Sequence, residues 1–316
     1  MTSPRNHHYV PQAYLLGFAD EREQVCVRWR MAEKPSFITR VRNIASERDF
    51  YSFVDDNTGE IDHQSFEAGL NTSETMLREA LHEYVAGGAT PLETLRLRIA
   101  LGVGFQMTRT KYFRRKLERM ADSAARTWLT TQRPELTEAL NSVHLVPGND
   151  VHLTRIREWA VGLAGVLLHR SWFLARATAG QFITTDNPVY GIADYTDALD
   201  VGVLAASEIR YPIDAATALV WTPQPGHDAA ILFTEREVRQ FNFATFANAY
   251  EQAYSNPGYQ AALEQLPRHR DNLIVRINAM TEAPDFKKAG TRRFEKPAGN
   301  GRKTAGPDPP NSSGVP

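Results

Sequence analysis

The chain has 316 residues, 42% hydrophobic and 23% charged, the proportions of an ordinary globular protein rather than a disordered or fibrous one. Its 36 basic and 37 acidic residues leave a net charge of -1, which excludes a global electrostatic footprint for nucleic acid or an anionic membrane. Cys26 is the sole cysteine, so a disulfide scaffold is excluded and a reducing, cytoplasmic setting is expected.

No repeat at a fixed period occurs. The longest purely apolar run, Trp159 to Leu168, is about half of what a membrane-spanning helix needs. The N-terminus lacks an apolar signal-peptide core, so no membrane association is expected.

Along the chain, Pro11 opens a short helix that carries Tyr14, Leu15 and Phe18 on one face. Val25, Val27 and Trp29 then alternate with Cys26, Arg28 and Arg30, the period of a half-buried strand. Phe50, Tyr51 and Phe53 predict another strand, closed by the turn residues Asp55, Asp56, Asn57 and Gly59. Apolar residues at spacings of three and four predict helices over Ile61 to Val85, Pro91 to Leu129 and Val151 to His169. Trp172 to Ala177 and Gln181 to Thr185 read as a hairpin across Thr178, Ala179 and Gly180. Strands are predicted at Ala218 to Trp221, Ala229 to Phe233 and Leu273 to Ile277, with a helix over Glu235 to Tyr254. The fold class is α+β: short N-terminal strands, a central helical bundle, and C-terminal mixed or antiparallel strands packed with a helix. One domain is expected over residues 1–286. Residues 287–316, rich in Gly, Pro, Lys and Arg, read as a disordered basic tail.

Several chemistries fall away. His82-Glu83 begins a zinc-protease helix, but Ala86 stands where the second histidine belongs. Gly102-Val103-Gly104 lacks a third glycine and lies in a helical pattern, and Gly301-Arg302-Lys303-Thr304 imitates a phosphate loop only within the tail. No Gly-x-Ser-x-Gly elbow occurs, and Cys26 reads as a buried strand residue rather than a nucleophile.

Polar residues on apolar faces are more informative. Ile99, Gly102, Gln106, Arg109, Phe113, Leu117 and Met120 form one helical stripe, which turns Gln106 and Arg109 inward. An inward guanidinium requires a partner, either a structural ion pair or a bound anion. Glu67 and Glu74 share a face of the preceding helix, about 10 Å apart along its axis. One of them suits Arg109 and the other a cleft, or Glu67 lies at the solvent boundary. In the extended run from Asn6 to Gln12, His7 and His8 point to opposite faces. Tyr9 seeks the core and takes His7 with it, leaving His8 toward an opening. An apolar strand delivers Asp186 and Asn187 to its end, either for function or as an Asx turn. Lys111, Arg114, Arg115, Lys116 and Arg119, opposed by Glu118, form a solvated face or a phosphate-attracting one.

These clusters carry a resemblance. Asn6-His7-His8-Tyr9-Val10-Pro11-Gln12 followed by Tyr14-Leu15 resembles the opening signature of the bacterial domain of unknown function 4238. Asp49-Phe50-Tyr51, the pair Glu67 and Glu74, Gln106 with Arg109-Thr110, Thr185-Asp186-Asn187-Pro188, Tyr211-Pro212 and Asn242 match in order. Ala13 and Thr185 depart from the pattern, which often has an aromatic residue and a serine there. The resemblance spans roughly residues 5 to 280 and implies site positions, among them Gln12, Tyr51, Glu67 and Asn187, but no reaction.

The expectation is a metal-dependent hydrolase acting on a phosphodiester such as nucleic acid. A divalent ion (Mg, Mn or Zn) would be held by His8, Glu74 and Asp186, with His7 and Glu67 as alternatives for ligand or base. Arg109 would stabilise negative charge, and Gln106 would orient substrate or water. The alternative is a non-catalytic binding or regulatory module gripping an anionic, for example phosphorylated, ligand. Shared metal-binding distances among His8, Asp186 and a glutamate favour the first. A pocket lined by Arg109 and neutral groups favours the second.

Overall fold

The computed structural model describes residues 5–55, 58–87, 92–140, 143, 147–192, 202–225 and 227–267. The predicted strand at 273–277 and the basic tail lie outside these residues. Within them the chain is α+β, as its periodicities require.

The N-terminal third contributes β1 (Asn6–His8), α1 (Gln12–Leu15), β2 (Gln24–Trp29), β3 (Phe37–Arg40), β4 (Ser46–Arg48), β5 (Phe53–Val54) and β6 (Ile61–Asp62). Helices follow: α2 (Ser65–Gly87), α3 (Glu93–Thr108), α4 (Lys111–Gln132), α5 (Thr137–Leu140) and α6 (Asn149–Leu168). The last third contains β7 (Ser171–Ala177), β8 (Thr184–Thr185), β9 (Tyr190–Ile192), β10 (Glu208–Pro212), β11 (Thr217–Thr222), β12 (Ala229–Phe233), α7 (Glu235–Ala247), β13 (Gln252–Ser255) and α8 (Gln260–Glu264).

The main sheet has the order β12-β7-β11-β10-β9, antiparallel except for the parallel β12–β7 pair. Alternation along β7 decides which residues meet which layer. Trp172 and Leu174 pack with Leu77, Tyr84, Ile99 and Val103 of α2 and α3. Phe173 and Ala175 pack with Val238, Phe241 and Ala244 of α7 on the other face. The sheet is therefore buried on both sides. A second sheet, β3-β2-β13-β8, is wholly antiparallel.

Several expectations are corrected. The long helix predicted from Pro91 to Leu129 is two helices, because Thr110 takes extended backbone and its Oγ1 accepts the Phe113 N–H at 3.2 Å, an N-cap. Beyond Phe113 the inward stripe fails: Met120 is 49% exposed. β7 does not form a hairpin with the segment after Gly180, since it pairs with β11 and β12 while β8 pairs with β13 in the other sheet. The helix expected to reach Tyr254 ends at Ala247, and Gln252–Ser255 is a strand. Phe50 and Tyr51 are buried in a turn rather than in a strand. The half-buried pattern of β2 also fails, since Cys26 and Arg28 are buried too; Arg28 donates to the Leu263 carbonyl and lies over the Phe246 ring.

Gly102 and Gly104 are packing residues. A Cβ at Gly102 would stand 2.6 Å from Leu77 Cβ, and one at Gly104 2.4 Å from the Ala160 carbonyl oxygen. α3 thus approaches α2 and α6 more closely than any side chain permits. Gly104→Ala is expected to lower stability by about 1–3 kcal/mol despite alanine's better helix propensity, because the obstructing atom is backbone. Urea denaturation measures it, and an unchanged midpoint would refute the close-contact account.

Candidate functional site

β1 is fixed by pairing with β4, His7 opposite Glu47 and His8 opposite Ser46. Adjacent strand residues face opposite ways, and the two histidines divide accordingly. His7 is fully buried, stacks on Tyr51 with ring centroids 5.6 Å apart, and its Nδ1 accepts the Tyr51 N–H at 2.8 Å. The neutral ring therefore carries its proton on Nε2. That atom has no hydrogen-bond partner, and Glu67 Oε2 is 3.9 Å away. His8 is half-buried, with Nδ1 3.4 Å from Gln12 Nε2 and Nε2 3.3 Å from the Arg42 carbonyl oxygen. Burial pushes its pKa down and favours the neutral ring.

Arg109 sits at the C-terminus of α3 with 2% of its surface exposed. Nη1 donates to Glu74 of α2, Nη2 to the His8 carbonyl oxygen at 2.6 Å, and Nε to the Tyr51 hydroxyl at 3.2 Å. Tyr51 in turn donates to the Arg109 carbonyl at 3.0 Å. The expected partner of Arg109 is thus Glu74, and the guanidinium enters the interior with its charge matched and each of its three nitrogens donating once.

Gln106, one turn earlier and 3% exposed, differs. Its Nε2 is buried without a hydrogen-bond partner. It lines a cavity of about 240 Å³ between α1, α2, α3 and the end of β10. Leu70, Leu77, Leu81 and Phe105 supply apolar wall, and Glu74, Gln106 and Arg109 are its inner polar groups. Tyr14 and Tyr211 stack in the same wall, centroids 5.3 Å apart. The Tyr14 hydroxyl is tied to Thr184 Oγ1 at 2.6 Å and to the Pro212 carbonyl at 2.7 Å. Burial and the Glu74 carboxylate raise the Tyr211 pKa, so the phenol stays protonated.

Asp186 and Asn187 do not line this cavity. Asp186 is fully buried, and its oxygens accept the N–H groups of Tyr250 at 2.8 Å, Glu251 at 2.6 Å and Gln252 at 3.1 Å. Burial pushes its pKa up to about 7 against the pull of those three donors. Asn187 donates to the Asn248 carbonyl at 3.1 Å. Both hold the turn between α7 and β13. The expected set His8, Glu74 and Asp186 is therefore not gathered around one ion, and among the described residues no group of three or more His, Cys, Asp or Glu is arranged to hold a metal. The basic stretch of α4 is largely paired: Arg114 and Arg115 share Glu118, and Lys111 reaches Glu251 at 3.1 Å.

A model described as protein of unknown function (DUF4238) matches residues 6–258. The chain belongs to that family. The DUF4238 match takes in the histidine pair, the Arg109–Glu74 pair, Asp186 and every residue of the cavity wall. No curated protein and no solved structure matches the chain. Among the described residues no helix is long and apolar enough to cross a membrane.

Sequence reasoning about this DUF4238 chain missed two buried features. Glu208 and Arg210 form an ion pair within β10, Arg210 Nε to Glu208 Oε2 at 2.8 Å. Their i, i+2 spacing on a strand was the available signal. His152 is buried beside Phe50 and Phe113 with neither ring nitrogen paired. It precedes the apolar stripe of α6 by one residue and gave no signal.

Proposed function

We propose that this chain is a binding module whose ligand is a small molecule seated in the α1–α2–α3 cavity. One observation carries the reading: buried Gln106 puts an amide nitrogen without a hydrogen-bond partner into the wall of that cavity. A buried polar group without a partner costs about 1–3 kcal/mol, and apolar pockets with a few convergent polar groups are the usual form of ligand sites. The Arg109–Glu74 pair braces the polar end, and through the His8 carbonyl it couples the pocket to the N-terminal strand.

The test is a thermal-shift screen of the full chain against small molecules, repeated with Ala13→Trp, which fills the mouth from the exposed face of α1. A ligand at a hundred times its Kd adds about 2.7 kcal/mol of stability. This gain is expected in the wild type and absent in Ala13→Trp. The metal-dependent hydrolase expected from the sequence predicts something else: stoichiometric metal in the purified protein and cleavage of nucleic acid that needs Mg²⁺ or Mn²⁺ and is lost in His8→Ala. That result, with no ligand found in the screen, would overturn the binding reading.

A further inference from the structure

Resting on that reading of the cavity, we infer that its ligand is an uncharged amphiphile: a hydrocarbon body ending in a hydroxyl or carboxamide group that hydrogen-bonds Gln106. Three observations converge on this class.

The first is shape. Cavity residues on α2 run from Leu70 to Val85, which at 1.5 Å per residue is about 22 Å. The site is a long trough rather than a round hole. Leu70, Leu77, Leu81 and Val85 recur along it, so it fits an elongated apolar body.

The second is charge. The two ionic groups at the inner end, Arg109 and Glu74, neutralise each other. An entering carboxylate would meet Glu74 beside a guanidinium whose charge that carboxylate already balances, and an entering ammonium would meet Arg109. Asp214 at the wall is engaged as well, accepting the Ala216 and Thr217 N–H groups at 2.8 and 2.7 Å. Arg78 and His82 line the rim and are exposed, where water screens them. A neutral head group meets none of these penalties.

The third is Gln106 itself. A primary amide both donates and accepts, and rotation of its terminal torsion exchanges the two. A hydroxyl or carboxamide on the ligand matches either orientation. Because Gln106 Nε2 bonds to nothing in the protein, the residue is poorly explained by stability and well explained by recognition.

The experiment is calorimetric titration of the full chain with four probes of one chain length: 1-octanol, octanamide, octanoate and octylammonium. The alcohol and the amide are expected to bind at least tenfold tighter than either ion. Gln106→Leu is expected to weaken both neutral probes about tenfold while its melting temperature stays the same or rises, a combination that a structural role for Gln106 would not give. Equal affinity for all four probes, or a preference for an ion that Ala13→Trp abolishes, would overturn the ligand class and leave the cavity standing as a binding site. Binding that survives Ala13→Trp unchanged, or no binding of any probe, would overturn the class and the cavity reading together.

Discussion

Arg109→Leu is expected to cost about 3–5 kcal/mol of stability, the largest single-residue effect outside the apolar core. The loss has two parts. Glu74 keeps its charge with only 21% of its side chain in water, and the His8 carbonyl and Tyr51 hydroxyl lose a donor. The double variant Arg109→Leu/Glu74→Leu should recover much of the loss, because the stranded carboxylate goes with its partner. Chemical denaturation of the four members of the cycle measures the coupling. Additive losses would show that the pair is not the cause. The His8 carbonyl should feel the change as well, with faster hydrogen exchange across β1 and β4.

His152 makes the fold sensitive to acid. Burial and nearby Arg114 push its pKa down to about 3, against roughly 6.5 for an unfolded histidine. Between those values the unfolded chain binds a proton that the native state refuses. Stability contributed by the neutral ring is therefore complete above about pH 6.5 and is lost as the pH falls toward 3, at up to about 1.4 kcal/mol per unit. His152→Leu removes the titrating group while leaving the aromatic neighbours in place. Unfolding free energies at pH 7, 6 and 5 should decline more steeply in the wild type than in the variant. Parallel declines would assign the acid sensitivity to other groups.

The parts of this molecule that were legible in its sequence are those governed by local periodicity. The 3.6-residue rhythm turned Gln106 and Arg109 inward and set Glu74 facing them, and the two-residue rhythm separated buried His7 from half-buried His8. Where local rhythm continued through a break, the reading failed: the apolar spacing runs past Arg109, and only the capping hydroxyl of Thr110 marks the end of one helix and the start of the next. Strand partners were illegible for another reason. Thr184 and Tyr254 pair across seventy residues of chain, and nothing within either segment encodes the other. Asp186 shows the same limit at the site. Its donors are three backbone amides at Tyr250, Glu251 and Gln252, groups every residue but proline carries, so no side-chain pattern could announce them. The cavity was invisible because it is the space between elements.

The position of β13 has a consequence for how the protein is made. It lies between β2 and β8, so a segment near residue 255 fills the middle of a sheet whose other long strand begins at residue 24. During synthesis β2 leaves the ribosome more than two hundred residues before its partner exists. Until then Cys26 and Val27 have no β13 backbone to bond with, and an open strand edge is exposed to other chains. Closing such a distant pairing is slow. Nascent chains halted before Gln252 should therefore stay protease-sensitive around β2 and depend on chaperones, whereas the helices α2, α3 and α6, which pack on one another within residues 65–168, can come together beforehand.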